Sequence, residues 1–299
     1  MRSGSTSRPL YVPQVGHTRC ARFGCPQLGQ VLTRGASIEC VARRLSRRDL
    51  EVFRFGTAMT AAHYSHNQGV DILERFDEQL RRAVTDEDGL HVGDGWSAVL
   101  WQPPDVERAV NRLRELPGHA EWKVYGHDPA DLPERLQALG LEPEDEEAVL
   151  VAEAASLPAT DADVRVADTP ELVDAFQDLA ERAFGHPSHG VRRELLKALA
   201  EDEPSMLAVL AFADGRPASS GRVDFNPRSE FAGLYGGSTL PEHRGRGLYR
   251  ATVAERARLA RERGYRWVYV DALPTSRPIL ERLGFVQLTT TTPYVFKRG

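Results

Sequence analysis

Residues 241–249 read Pro241-Glu-His-Arg-Gly-Arg-Gly-Leu-Tyr249. The segment leaves a β-like run, residues 231–239, and opens a helix-like run, residues 248–263. A turn at a helix start presents backbone N–H groups that have no partner in the helix, at the end of the helix dipole that favours anions. Gly245 and Gly247 carry no Cβ, so the main chain can approach an anion closely. No Gly-Lys-Ser/Thr follows, which excludes a Walker A loop, and the three-glycine dinucleotide fingerprint is absent. A phosphate-binding turn and a basic turn at an ordinary helix start remain, and the flanking elements bear on the choice.

Working outward, residues 163–167 alternate as a short strand. Thr169 and Pro170 open a helix as N-cap and first helical residue. Leu172, Val173, Phe176, Leu179, Ala180 and Ala183 then recur at helical spacing. A loop over 185–190 leads to a shorter helix over 191–201. Residues 206–212 and 218–225 read as strands joined through Asp214-Gly215. Strand 231–239 contains Gly236-Gly237, the mark of a bulge or of a ligand approaching the backbone. After the quoted turn and a helix ending at Gly264 come a strand over 267–271, a helix over 276–283, and a strand pair over 286–296 bent at Pro293.

This order, β-α-α-β-β-β-α-β-α-β-β across residues 160–299, resembles that of the GNAT N-acetyltransferases. The turn is similar to the family's acyl-CoA pyrophosphate loop, Arg/Gln-x-x-Gly-x-Gly/Ala: Arg244 fills the first place, Gly247 the fourth, and Tyr249 stands at the sixth. Leu280-Glu-Arg-Leu-Gly-Phe285 is similar to the family's Tyr-x-x-Leu-Gly-Phe block. There Leu280 replaces a tyrosine that in many members protonates the leaving thiolate. The resemblance implies an α/β (α+β) GNAT fold, a mixed, mostly antiparallel sheet with splayed central strands flanked by helices. It implies acetyl-CoA as co-substrate, with Gly237, Ser238 and Thr239 along the pantetheine arm. Arg244, Gly245, Arg246, Gly247, Leu248, Tyr249 and Arg250 would hold the pyrophosphate. The acetyl group would pass by direct attack to a primary amine of a small molecule or peptide, with no metal. A non-catalytic acyl-CoA-binding sensor is the alternative that Leu280 and Tyr249 motivate.

Direct attack needs a neutral amine, hence a base or a water chain, and the departing thiolate needs a proton. Glu230 and His186 are candidate bases and Tyr294 a candidate acid. Each has a plainer role: Glu230 as a strand-end charge, His186 as a surface loop histidine, Tyr294 as a core or edge-strand aromatic. Asp224, His189 and Tyr235 belong to the same set.

The 299 residues, 41% apolar and 27% charged, suffice for two globular domains. No apolar run reaches membrane-spanning length and no secretory-type leader is present, so a cytoplasmic protein without a membrane partner is expected. Three cysteines, all before residue 41, suit a reducing compartment. Residues 1–48 read as a disordered basic tail or an over-extended start, since residues 1–50 carry nine arginines against Glu39 and Asp49. A zinc reading of His17, Cys20, Cys25 and Cys40 lacks a C-x-x-C pair. The remainder is acidic and no aromatic-basic stripe accompanies the tail, so no nucleic-acid partner is expected. A monomer or homodimer is expected.

Residues 49–155 read as a second domain that echoes the first-described one. Trp122-Lys-Val-Tyr125 and Gly140 run parallel to Trp267-Val-Tyr-Val270 and Gly284, with Trp-to-Gly spacings of 18 and 17 residues. The echo suggests a degenerate GNAT-like copy that walls the substrate cleft. Gln102-Pro-Pro104 stands where its Arg-x-x-Gly turn would be, so it should bind CoA poorly. Two generic β-α-β units are the alternative.

Overall fold

The computed structural model describes residues 66–93, 96–185 and 190–296. The expectations for residues 1–48, for the His17/Cys20/Cys25/Cys40 group and for His186 and His189 lie outside them. The described residues open with α1 (His66–Phe76), which runs into a π-helical stretch, Asp77–Arg82. The sequence predicts one helix over 70–84; the observed change of winding buries Leu80 and Arg81 together. The Arg81 guanidinium bonds the Leu100 carbonyl at 2.8 Å, Asp77 at 2.8 Å and Asp128 at 2.6 Å, and lies over the Tyr125 ring. There follow β1 (Leu90–Val92), β2 (Trp96–Val99), α2 (Val106–Glu115), β3 (His119–Tyr125), α3 (Leu132–Ala138), β4 (Leu141–Pro143) and β5 (Glu147–Glu153).

The later elements are β6 (Val164–Val166), α4 (Pro170–Phe184), α5 (Val191–Ala198), β7 (Met206–Ala213), β8 (Arg216–Phe225) and β9 (Phe231–Thr239). Then come α6 (Leu248–Glu262), β10 (Trp267–Ala272), α7 (Arg277–Arg282) and β11 (Val286–Phe296). Thr169 caps α4 as its residue type predicts, its hydroxyl accepting from Leu172 N at 3.4 Å, and Gly185 ends that helix in the left-handed region.

The strands form one sheet in the order β1-β2-β3-β11-β5-β10-β9-β8-β7-β6, with β4 on β11. The sheet runs unbroken across residues 155–160 and lies within one compact unit, Tyr64–Gly299. The last strand of residues 66–153 and the last strand of residues 160–296 each pair across to the other segment. β11 pairs antiparallel with β3 of the first half, and β5 pairs antiparallel with β10 of the second. β5 and β11 lie side by side between them. Residues 286–296 are therefore one strand and not the expected pair, because β5 already fills the place beside β10. Pro293 sits inside β11 opposite Lys123, and its carbonyl accepts from Glu144 N at 2.8 Å.

Two irregularities position the site. β9 and β10 are parallel but paired only at Phe231/Trp267, Ala232/Val268 and Gly233/Tyr269. Beyond Gly233 they part, β9 staying with β8 and β10 with β5. The second is a bulge, where the β8–β9 register passes from Ser220/Ser238 to Arg222/Tyr235. Arg256 of α6 is buried beneath it and donates to the carbonyls of Thr252 (2.9 Å), Arg222 (3.2 Å) and Tyr235 (3.3 Å). Burial lowers its pKa to about 10. Glycine at 221 leaves room for it, since a Cβ would stand 2.6 Å from the guanidinium carbon and Arg256 would have to shift.

The fully buried Leu150, Val268 and Ala232 form the core under α6, with Val253, Ala257 and Ala260 on the helix's inner face. No helix among the described residues is long and apolar enough to cross a membrane.

Candidate active site

The turn at 241–249 is exposed and irregular in the way its glycines demand. A single 3₁₀ turn, Pro241–His243, ends β9's exit, and Gly245 and Gly247 adopt φ of 76° and 79°. Arg244 N donates to Pro241 O at 3.3 Å. The amides of residues 245–250 have no acceptor within the protein among the described residues. α6 starts at Leu248 without a side-chain cap, so these donors are available to an anion. The arginine side chains are partly committed: Arg244 Nε reaches Thr239 O at 3.3 Å, and Arg246 pairs with exposed Asp214 at 2.9 Å. The free donors of this turn are therefore main-chain amides more than guanidinium groups.

The turn overlooks the split between β9 and β10. A cavity of about 260 Å3 opens there. Leu234, Tyr235, Gly236 and Gly237 line it from β9, and Val270 and Asp271 from β10. Tyr249, Val253 and Arg256 come from α6, Ser276 and Leu280 from around α7. A Cβ at residue 237 would lie 2.7 Å from the Tyr249 ring, so glycine there keeps the slot open. The side chains of Ser238 and Thr239 turn to β8, Ser238 Oγ to Ser220 Oγ at 2.7 Å and Thr239 Oγ1 to Ser219 Oγ at 2.8 Å. Their carbonyls are engaged as well, Ser238 O accepting from Ser219 Oγ at 2.6 Å and Thr239 O from Arg244 Nε. Burial raises the Tyr249 hydroxyl pKa against the opposing influence of Arg256 and a hydrogen bond with Ser276.

A second cavity, about 680 Å3, lies on one face of the sheet. Period-two alternation builds it: Glu121, Lys123 and Tyr125 of β3 share one face, Tyr269 and Asp271 of β10 do the same, as do Arg222 and Asp224 of β8. Phe76, Leu80, Val191 and Glu194 help close it. Lys123, Glu147, Tyr235 and Asp271 line both cavities and so mark their junction.

The junction is charged and largely buried. Lys123 Nζ lies 2.5 Å from Asp271 Oδ2 and 3.9 Å from Glu147 Oε2. Burial alone would lower the Lys123 pKa, but Asp271, Tyr125, Glu121 and Glu147 outweigh it and hold the ammonium well above its usual range. Burial pushes Glu147 up to about 7; Lys123 opposes it, while Asp271, Glu121 and Glu144 reinforce it. Beside them the Tyr235 and Tyr269 hydroxyls are 2.6 Å apart, and burial pushes the Tyr269 hydroxyl up to about 12.

The residues singled out from sequence do not all meet here. Gly237 and Tyr249 line the small cavity, and residues 245–250 supply the free amides. Glu230 lines neither cavity: at the far end of β9, it bonds Arg75 at 2.9 Å and Gln79 at 3.1 Å. Tyr294 lies in the core of the first half opposite Trp122, away from both cavities. Asp224 lines the large cavity paired with Arg222 at 3.0 Å.

Sequence reasoning missed Lys123, Glu147 and Asp271. A signal existed: lysine occurs only at 123, 197 and 297, and Lys123 interrupts an otherwise apolar strand core. Glu147 opens and Asp271 nearly closes such strands. Among the described residues no group of three or more His, Cys, Asp or Glu is arranged to hold a metal ion.

Residues 171–285 match the model of the acetyltransferase (GNAT) family, and this part of the chain is a GNAT acetyltransferase domain. The fold agrees with a GCN5-related N-acetyltransferase from Kribbella flavida, at 20% identity and TM-score 0.56, covering 77% of this chain and 96% of that one. It also agrees with a structure from Novosphingobium aromaticivorans assigned to the GNAT family of acetyltransferases, at 18% identity and TM-score 0.51, covering 76% and 97%. No curated protein sequence matches the chain.

Proposed function

We propose that the protein is an acetyl-CoA-dependent N-acetyltransferase acting on a primary amine. The observation that carries this reading is the continuity of anion seat, split strands and buried charged junction. The free amides of 245–250 suit the diphosphate. The unpaired edge of β9 from Leu234 to Gly237 suits an extended pantetheine arm, which would add like a strand. The thioester then reaches the junction at Tyr235 and Asp271.

Glu147 is the proposed general base. It lines both cavities, and a pKa near 7 matches proton removal at neutral pH. An acceptor arriving as an ammonium loses one proton to Glu147, directly or through water, which frees the nitrogen lone pair. The nitrogen attacks the thioester carbon, the C–N bond forms as the C–S bond breaks, and the second N–H proton reprotonates the thiolate. With Leu280 buried in the small cavity, the hydroxyl of Tyr249 beside Ser276 is the proposed donor on that side.

We also read the first half, residues 66–153, as a GNAT-like copy related to the second by approximate two-fold symmetry. In both halves a helix crosses between two parallel strands, β2-α2-β3 and β9-α6-β10, and the final strand crosses to the partner half. That exchange puts Lys123 and Glu147 of the first half into the site.

Thiol release from acetyl-CoA against a panel of amines tests the reading. Saturable acetyl-CoA binding with no thiol release on any amine would favour the non-catalytic sensor.

A further inference from the structure

Arg256 is a buried charged group on the wall of the small cavity that the transfer steps above do not use. It is 1% exposed, and among the described residues no carboxylate forms an ion pair with it; nearby Asp224 is taken by Arg222. Burying a cation without a counter-charge is costly. The β8–β9 bulge accounts for its place. Gly236 and Gly237 of β9 stand against Gly221 alone in β8, between the pairs Arg222/Tyr235 and Ser220/Ser238. Such a two-against-one step interrupts the ladder and leaves backbone groups unpaired. Arg256 Nη1 donates to both members of the pair that closes the bulge, Arg222 O and Tyr235 O, while its Nε holds Thr252 O of its own helix. One guanidinium thereby ties both strands to α6. It also underlies the cofactor slot: a Cβ at residue 237 would lie 3.6 Å from Arg256 Nη2 and 2.7 Å from the Tyr249 ring.

We infer that Arg256 is a positioning residue for the acyl-CoA: by holding the Arg222 and Tyr235 carbonyls it locks the bulge, and with it the Gly236–Gly237 edge along which the pantetheine arm lies. Without that lock β9 can relax into a regular ladder by slipping one residue against β8, which turns its side chains beyond that point to the other face. Ser238 and Thr239 would then leave Ser220 and Ser219. The inference rests on the acetyl-CoA reading above and adds to it a residue outside the glycine turn.

The test uses the full chain with Arg256→Met, Arg256→Lys and Gly221→Ala, each below its own melting temperature. Gly221 lines neither cavity, yet a Cβ there would stand 2.6 Å from the guanidinium carbon, so alanine displaces Arg256 from outside the slot. By calorimetry the Kd for acetyl-CoA should rise at least about tenfold in Arg256→Met and in Gly221→Ala, the size of one lost charge-assisted hydrogen bond. Arg256→Lys, which keeps the charge without the planar fork, should fall between wild type and Arg256→Met. The two effects should not add: Gly221→Ala in the Arg256→Met background should raise Kd no further. An arginine that only supports the fold would lower the melting temperature and leave Kd unchanged. Wild-type Kd in the folded variants, or additive effects of the methionine and the alanine, overturn the inference alone. Should Arg256→Met not fold, Gly221→Ala and Arg256→Lys carry the same comparison. Absence of acetyl-CoA binding by the wild type removes the acetyl-CoA reading, and this inference with it.

Discussion

Lys123 Nζ of β3 lies 2.5 Å from Asp271 Oδ2 of β10, a contact between residues 148 positions apart that joins the two halves at the junction of both cavities. Both side chains are nearly buried, at 13% and 10% exposure. Removing one partner of such a pair leaves a buried charge uncompensated, whereas removing both can be nearly neutral. Lys123→Met should therefore lower unfolding stability by about 3–5 kcal/mol in urea titration. The double variant Lys123→Met/Asp271→Asn should recover more than half of that loss. Additive losses would mean that the two side chains do not act as a pair.

Glu147→Gln separates chemistry from stability. The wild-type kcat/KM should rise with pH through about 7 as the carboxyl ionises, and the variant should lose that limb together with roughly 10²-fold or more of the rate. The stability effect has the opposite sign. A carboxyl pKa raised from 4.5 to about 7 by folding means the folded state binds the proton more tightly, so stability falls as pH rises through that window. Glutamine removes this penalty. The variant should be more stable than wild type above pH 7, by about 3 kcal/mol at most, and the gain should fade as pH drops toward the unfolded-state value. A variant that is slower and no more stable at high pH would assign Glu147 a structural role.

Gly247→Glu places a Cβ at φ 79°, 3.3 Å from the Arg250 guanidinium, and a carboxylate beside the free amides. Acetyl-CoA affinity measured by calorimetry should fall below detection, with thermal stability reduced by only about 1–2 kcal/mol for the left-handed backbone. Retained micromolar affinity would move the diphosphate away from this turn.

Tyr249→Phe keeps the ring against Gly237 and removes the hydroxyl beside Ser276. If that hydroxyl supplies the thiolate's proton, kcat should drop about tenfold or more while KM for acetyl-CoA stays unchanged. An unchanged kcat would assign the proton to water or to another group.

The turn, its helix and the order of elements over residues 160–285 were legible because they depend on local chemistry. Glycine is needed where φ is positive, Thr169 is needed where a helix begins, and apolar period marks each face. The catalytic candidates were not. Glu230 looked available at a strand end, yet Arg75 of α1 and Gln79 of the π-helical stretch occupy it. Tyr294 looked like a possible acid, yet β11 crosses into the first half and buries it against Trp122.

The sequence alone determined the glycine turn at 244–250, the acyltransferase domain and the echo between Trp122 and Trp267, since each is written in short spacings that the backbone must obey. Only the tertiary structure decided that β11 pairs with β3 and β5 with β10, and with those pairings which charges meet. Lys123, Glu147 and Asp271 come from three strands far apart in the chain, and their shared environment, which sets the Glu147 pKa and leaves Asp271 Oδ1 without a donor, exists only once those strands are side by side.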